Sequence, residues 1–261
     1  MIDIHAHILP ATDDGARTFA ESLAMLAMAA ADGTTDLILT PHADLRYVFD
    51  AARAAADRRL LQAAAPQPRL HAGCELLITP ENIERAIAEP SAYTLAGSSY
   101  LLVEVPECVS LRIVLDALAR LQARGIRPIV AHPERSLDFR DLVRTASVLV
   151  RQGCYLQLTA RSILGGFGPE TERAAERLLE TGLAHFVAGD AHGKEHRRPL
   201  LRGARERVAH WIGQENADLL FVGNGRSVLA DLPVQSPSIR RAVRVRSLVL
   251  SMARQTVFHA G

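Results

Sequence analysis

The chain has 261 residues, 48% hydrophobic and 23% charged, with a net charge of +1. That composition supports a sizeable core and argues against disorder, and the near-neutral balance argues against a dedicated nucleic-acid binder. Three cysteines without CxxC spacing (Cys74, Cys108, Cys154) form neither a disulfide framework nor a zinc knuckle. No basic-then-apolar leader is visible and no apolar run reaches the roughly 20 residues of a membrane span, so a cytoplasmic protein is expected.

Short apolar runs of strand length recur along the chain. They are IDIH (2–5), DLILT (36–40), RLHAGCE (69–75), YLLVEV (100–105), RPIVAH (127–132), CYLQLT (154–159) and AHFVAG (184–189). All are nearly continuous in apolar residues, as strands buried on both faces should be. Helical stretches separate them. Residues 19–32 close on Gly33, 110–124 on Gly125 and 139–152 on Gly153. Residues 169–181 open on Pro169 and close on Gly182, and 49–64 end loosely in Ala, Pro and Gln. Pro or an acid at the start and Gly past the end is ordinary helix punctuation. Seven strand–helix units in succession predict a parallel α/β sheet curled into a barrel, with DLLFVG (218–223) as a weak eighth strand. From about residue 234 the character changes: PSIRRAVRVRSLVLSMARQ holds five arginines and no acid. The expected division is a barrel over 1–233 and an arginine-rich helix or tail over 234–261.

Polar residues fall at the ends of these strands. His5 and His7 end the first, His42 follows the second and Glu75 ends the third. Glu104 closes the fourth, His132 the fifth, and Asp190 and His192 follow the seventh. Asp14 lies in the first loop, where Asp13 competes with it for one role. In a parallel barrel, the C-terminal strand ends share one face, so these residues converge on one mouth. His5 and His7 share a face because strand side chains alternate with period two. Five imidazoles and four carboxylates without thiolate suit Mn, Fe or Zn. They exceed the needs of one ion and suit the clustered ions, about 3.5–4 Å apart, used in phosphoester hydrolysis. Nine such residues are hard to explain by packing, since each costs free energy if buried unsatisfied.

The motifs DIHAHILPATDDGA, TPH, GCELLITPEN, AHPER, QLTA…LGGFG and VAGDAH resemble the PHP (polymerase and histidinol phosphatase) superfamily. More closely they resemble the bacterial manganese-dependent protein tyrosine phosphatases of capsule and exopolysaccharide operons, over roughly residues 1–232. The resemblance implies a distorted (β/α)7 TIM-like barrel with two or three divalent ions, manganese foremost and iron or zinc as alternatives. It matches His5, His7, Asp14, His42, Glu75, Glu104, His132, Asp190 and His192 to metal-binding positions. It also implies a phosphotyrosyl protein substrate, the tyrosine-rich tail of a cognate bacterial kinase.

A phosphate dianion needs cationic donors, and arginine's planar fork fits it. Arg135 in AHPER and Arg197 or Arg198 in HGKEHRRP lie one loop from His132 and His192. The expected chemistry is in-line attack by a metal-bridging hydroxide, with His42 or His192 as proton donor to the leaving group. A covalent cysteine mechanism needs an arginine six positions beyond the cysteine. Those positions hold Pro80, Val114 and Ala160. Cys74 neighbours Glu75 and so faces the opposite side of its strand. His71 and His185 open strands, at the far end of the barrel. GGFG (165–168) shapes a turn at the active face, and Arg161 stands where a small residue is expected after LTA. The alternatives are a small-molecule phosphomonoesterase resembling histidinol phosphatase, a PHP nuclease, or a degenerate barrel that only binds a partner. The sequence gives no oligomeric state.

Overall fold

The computed structural model describes residues 1–106, 109–136 and 141–239. Among the described residues, nine short strands run parallel: β1 Ile2–Ala6, β2 Asp36–Leu39, β3 His42–Ala43, β4 Arg69–Ala72, β5 Glu75–Leu77, β6 Tyr100–Glu104, β7 Arg127–Ala131, β8 Tyr155–Thr159 and β9 Phe186–Ala188. They pair in two arcs, β1-β2-β4 and β3-β5-β6-β7-β8-β9. The first and last strands meet through a parallel bridge between Ala6 and Ala191. Asp190 donates its amide to the His5 carbonyl there, and His7 donates to Ala191. This is the α/β barrel of seven strand–helix units that the apolar runs predict.

One predicted strand is broken in the middle, and another is followed by a short strand beyond its predicted end. RLHAGCE divides into β4 and the start of β5, while DLILT forms β2 and β3 follows just past it; β2 and β4 pair in one arc, β3 and β5 in the other. Pro41 has no amide to continue the ladder. At Gly73 a Cβ would stand 2.8 Å from both Ile38 and Leu95 side chains, so only glycine lets the strand jog there. The jog swings His42 opposite Glu75 in register. RLHAGCE is therefore corrected to two pieces.

A second correction concerns DLLFVG. Residues 214–229 are helical throughout, as Gln214–Asp218, Leu219–Gly223 and Asn224–Leu229. A short apolar run has no readable period. The edge that an eighth strand would occupy is taken, because the chain after β9 already pairs with β1.

Helices cover the outer face. Phe19–Asp32 is capped by Thr18, which accepts from the Glu21 amide, and stops on Gly33. Its Met25, Leu26 and Ala29 pack on Leu37 and Leu39, together with Leu61 of the helix Ala51–Ala64. Leu101, Val103, Val130, Leu156 and Val187 join the larger outer cluster. Residues of alternate parity (Ile38, Leu102, Ile129 and Phe186) form a separate cluster on the other face. Each such fully buried side chain contributes roughly 1.5–3 kcal/mol. Cys74 and Cys154 sit in the outer cluster, and burial pushes the Cys154 thiol up to about 12. Cys108, residues 139–140 of the predicted fifth-strand helix and residues 240–261 of the arginine-rich stretch lie outside the described residues. Among the described residues, no helix is long and apolar enough to cross a membrane.

Residues 232–239 run beneath the strands. Tyr100 donates its hydroxyl to the Leu232 carbonyl, and Val234 donates its amide to that hydroxyl. His185 Nδ1 accepts from the Leu156 amide, while Nε2 lies 3.2 Å from Ser236 Oγ. Burial lowers the His185 pKa from 6.5 to about 4. Its folded-state pKa is thus below its unfolded value, so stability is intact above pH 6.5 and falls as pH drops through 6.5 toward 4. The full difference is about 3 kcal/mol. Urea titration at pH 7 and pH 4.5 should show His185→Gln losing about 2–3 kcal/mol less than wild type over that interval. Equal losses would place the acid sensitivity elsewhere.

Candidate metal centre

The strand ends gather the predicted residues. His5 lies on β1 and His7 just beyond it, His42 opens β3, Glu75 opens β5 and Glu104 ends β6. His132 follows β7, and Asp190 and His192 follow β9. Glu75 stands at the middle and is buried. Its Oε2 lies 3.2 Å from His5 Nε2, 3.2 Å from His7 Nε2 and 3.1 Å from His42 Nδ1. Its Oε1 lies 2.9 Å from His132 Nε2, which is 3.7 Å from Glu104 Oε1. On the far side, Asp190 Oδ1 is 3.5 Å from both His5 Nε2 and His192 Nδ1. Asp14 Oδ1 is 3.4 Å from His42 Nε2 and 3.3 Å from His192 Nε2. All nine residues are brought together.

Among the described residues, seven of the nine fall into three overlapping groups that fit divalent ions: His7, Asp14, His42 and His192; His5, His7 and Glu75; and His42, Glu75 and Glu104, with His132 and Asp190 flanking them. The chemistry of the set favours a cation. Glu75 Oε2 is buried without a hydrogen bond of good geometry, and His5 Nε2 faces His7 Nε2 at 3.1 Å. Burial opposes charge on His5, yet Glu75 and Asp190 outweigh it and raise its pKa to about 9. Burial opposes charge on His42 too, but Asp14 and Glu75 push it up to about 11. A pocket that concentrates this much negative potential around nitrogen lone pairs holds positive charge, and its N/O donors match Mn, Fe or Zn.

A ring of residues behind the donors sets their orientation. His5 Nδ1 lies 2.9 Å from Gln157 Oε1, and His7 Nδ1 lies 2.7 Å from Asp13 Oδ2. Both oxygens accept, so each Nδ1 donates and each Nε2 is turned toward the cluster, where it can serve as a ligand atom once deprotonated. Asp13 also accepts from the amides of Gly15 and His42. Asp3, buried and raised to about 6, accepts from the amides of His5 and Gly189 and so ties β1 to β9. Buried Glu134 accepts from the Thr159 amide. Sequence reasoning missed Asp3, Glu134 and Gln157. The available signal was a polar residue inside an otherwise apolar strand, as in IDIH and YLQLT. It also set Asp13 and Asp14 as rivals, whereas the structure gives them different partners. Asp13→Asn should lower metal affinity about 10- to 100-fold, read by calorimetric titration of the metal-free protein. Unchanged affinity would reduce Asp13 to a turn residue.

His132 and Asp190 both have positive φ, 33° and 49°. Non-glycine residues held there cost about 1–3 kcal/mol each and concentrate at functional sites. The turn at Asp190 aims its carboxylate between two arginines. Arg135 Nη1 lies 2.5 Å from Oδ2, and Arg197 Nη2 lies 2.6 Å from Oδ1. Arg198 is exposed and makes no ion pair among the described residues. Of the two adjacent arginines, the geometry therefore directs Arg197 to the centre. The Phe167 ring lies beneath, 4.5 Å from the Arg135 guanidinium carbon and 5.9 Å from that of Arg197.

Known proteins share this frame. Tyrosine-protein phosphatase YwqE of Bacillus subtilis is 38% identical over 200 residues, 74% of this chain and 77% of its own. Tyrosine-protein phosphatase CpsB of Streptococcus pneumoniae is 29% identical over 242 residues, 88% and 99% of the two chains. A solved structure from a study of YwqE from Bacillus subtilis and CpsB from Streptococcus pneumoniae, described as metal-dependent tyrosine phosphatases, superposes with a TM-score of 0.83. It is 31% identical and covers 92% of this chain and 100% of that one. Histidinol phosphate phosphatase from Lactococcus lactis shares the fold alone, at 13% identity and a TM-score of 0.59, over 84% of this chain and 95% of that one. The family described as capsular polysaccharide synthesis, CpsB/CapC, matches residues 1–230, and the chain belongs to that family.

Proposed function

We propose that this protein is a metal-dependent phosphatase that hydrolyses phosphotyrosine in a protein substrate. The observation that carries the reading is the Glu75 carboxylate within 3.2 Å of four imidazoles, beside two arginines that converge on Asp190. His5, His7, Asp14, His42, Glu75, Glu104, His132, Asp190 and His192 would hold the ions, with manganese the first candidate. Bound divalent ions supply Lewis acidity toward phosphate oxygens and lower the pKa of water.

The chain's own side chains do the rest. Arg135 and Arg197 approach from two loops and grip the non-bridging phosphate oxygens, where negative charge must be held during in-line displacement. A phenolate leaves readily because its pKa is near 10, so proton donation is a light demand. His42 or His192, which sit with Asp14, would meet it where the imidazole is not committed to an ion. The protein substrate in this reading is the tyrosine-rich tail of a cognate bacterial kinase in capsular polysaccharide synthesis, met in the cytoplasm.

The test is direct. Metal-loaded protein should hydrolyse a phosphotyrosyl peptide, stop on chelation and recover with Mn. Histidinol phosphate and a 3′-ended oligonucleotide should be poor substrates. Preference for either of those, or no hydrolysis of any phosphoester, would end the proposal.

A further inference from the structure

Arg161 belongs to neither the donor cluster nor the arginine pair on Asp190, yet its surroundings are built for it. It lies in the short helix Ala160–Ile163 that follows β8. Its Nε donates to the Gly166 carbonyl at 3.2 Å, and its Nη1 donates to the His196 carbonyl. Those two acceptors belong to different loops. One loop, after β8, carries Phe167. The other, after β9, carries Arg197. The guanidinium carbon of Arg161 stands 5.4 Å from the Phe167 ring centroid, so three guanidinium groups share one aromatic ring. Among the described residues no carboxylate pairs with Arg161, so its fixed partners are carbonyl dipoles and the ring face.

The loop that Arg161 reaches is pinned at its base. The amides of His192 and Gly193 both donate to the Arg197 carbonyl. Beyond that base, residues 194–196 are exposed. Among the described residues, the hydrogen bond from Arg161 to His196 is the tie between this tip and the loop after β8. It falls on the residue immediately before Arg197. The space for it is specific: a Cβ on Gly166 would stand 2.4 Å from Arg161 Cγ and 2.8 Å from its Nε. Gly166 is therefore the seat on which the Arg161 side chain lies.

We infer that Arg161 is a positioning residue for Arg197. It cross-braces the loops after β8 and β9 through the His196 carbonyl and the Phe167 ring, and so fixes the angle at which Arg197 meets phosphate. This rests on the reading of Arg197 as a phosphate-holding residue. A misplacement of about 1 Å is enough to lower a rate by up to a hundredfold, so loss of the brace should be measurable even though Arg161 does not touch the reacting atoms.

Inorganic phosphate is the probe, titrated calorimetrically into the metal-loaded protein, with KM and kcat for a phosphotyrosyl peptide alongside. Arg161→Ala should weaken phosphate binding and raise KM about tenfold, with a smaller fall in kcat and the same metal content. Gly166→Ala keeps every charge but unseats Arg161, and should reproduce that change. Arg161→Lys, able to reach one carbonyl but not two, should fall between. In an Arg197→Ala background, Arg161→Ala should have little further effect, because residues that act through one another are non-additive.

Additive losses would make Arg161 an independent substrate contact and overturn the inference. So would a normal Gly166→Ala protein beside an impaired Arg161→Ala one, since charge rather than position would then be at work. If Arg197→Ala weakens phosphate binding but Arg161→Ala does not, the brace fails alone. If Arg197→Ala itself leaves phosphate affinity unchanged, the reading of Arg197 fails and the brace with it.

Discussion

Glu75→Gln should strip the centre of metal and lower phosphotyrosyl hydrolysis by about a thousandfold or more, the scale seen when a member of a catalytic unit is removed. The carboxylate lies within 3.2 Å of His5, His7, His42 and His132 together. Gln has nearly the same shape, so the barrel should remain folded. It cannot carry the negative charge that offsets the ions, and its NH2 group would face imidazole lone pairs. Metal analysis and circular dichroism separate the outcomes. A folded, metal-free, inactive protein is expected. Retained metal with near-normal turnover would remove Glu75 from the centre of the mechanism.

Arg135→Ala and Arg197→Ala should each lower kcat/KM for the peptide about 10²–10³-fold, the usual effect of deleting one donor to a charged transition state. Metal content should hold, because neither arginine is a metal ligand. Arg198→Ala should stay within about twofold, since surface substitutions away from a site have small effects. The adjacent pair Arg197 and Arg198 is thus an internal control: the two carry the same charge, but only Arg197 pairs with Asp190. Equal losses at both positions would mean that the loop acts through bulk positive charge. Loss of metal in Arg135→Ala or Arg197→Ala would instead show that the arginines hold Asp190 in place.

The parts of this arrangement that could be read in the sequence share a physical cause. Strands buried on both faces need continuous apolar runs, and a polar residue is tolerated at such a run's end only if something satisfies it. That rule alone marks His5, His7, His42, Glu75, Glu104, His132, Asp190 and His192 in the sequence. The break at Gly73–Cys74 and the short strand after Pro41 were hidden, because they depend on the close approach of Gly73 to Ile38 and Leu95 from other parts of the chain. DLLFVG was misread because its hydrophobicity suits a strand or a buried helix equally, and the choice falls to whichever edge is open. Gln157 and Asp13 were not legible as orienting groups, since their role is set by which ring nitrogen they face across the barrel.

The bridge between Ala6 and Ala191 also orders events in time. Gly189 lies 186 positions beyond Asp3, and the two are joined by a buried hydrogen bond. His5 and His7 are synthesised well before Asp190 and His192. Closing so long a loop carries a large entropic cost, and contacts of such separation form slowly. Until β9 meets β1, the group of His7, Asp14, His42 and His192 lacks a member, whereas the two groups built on Glu75 need no residue from β9. Ion capture at the His192 group is therefore a report that the ring has closed rather than a seed for it.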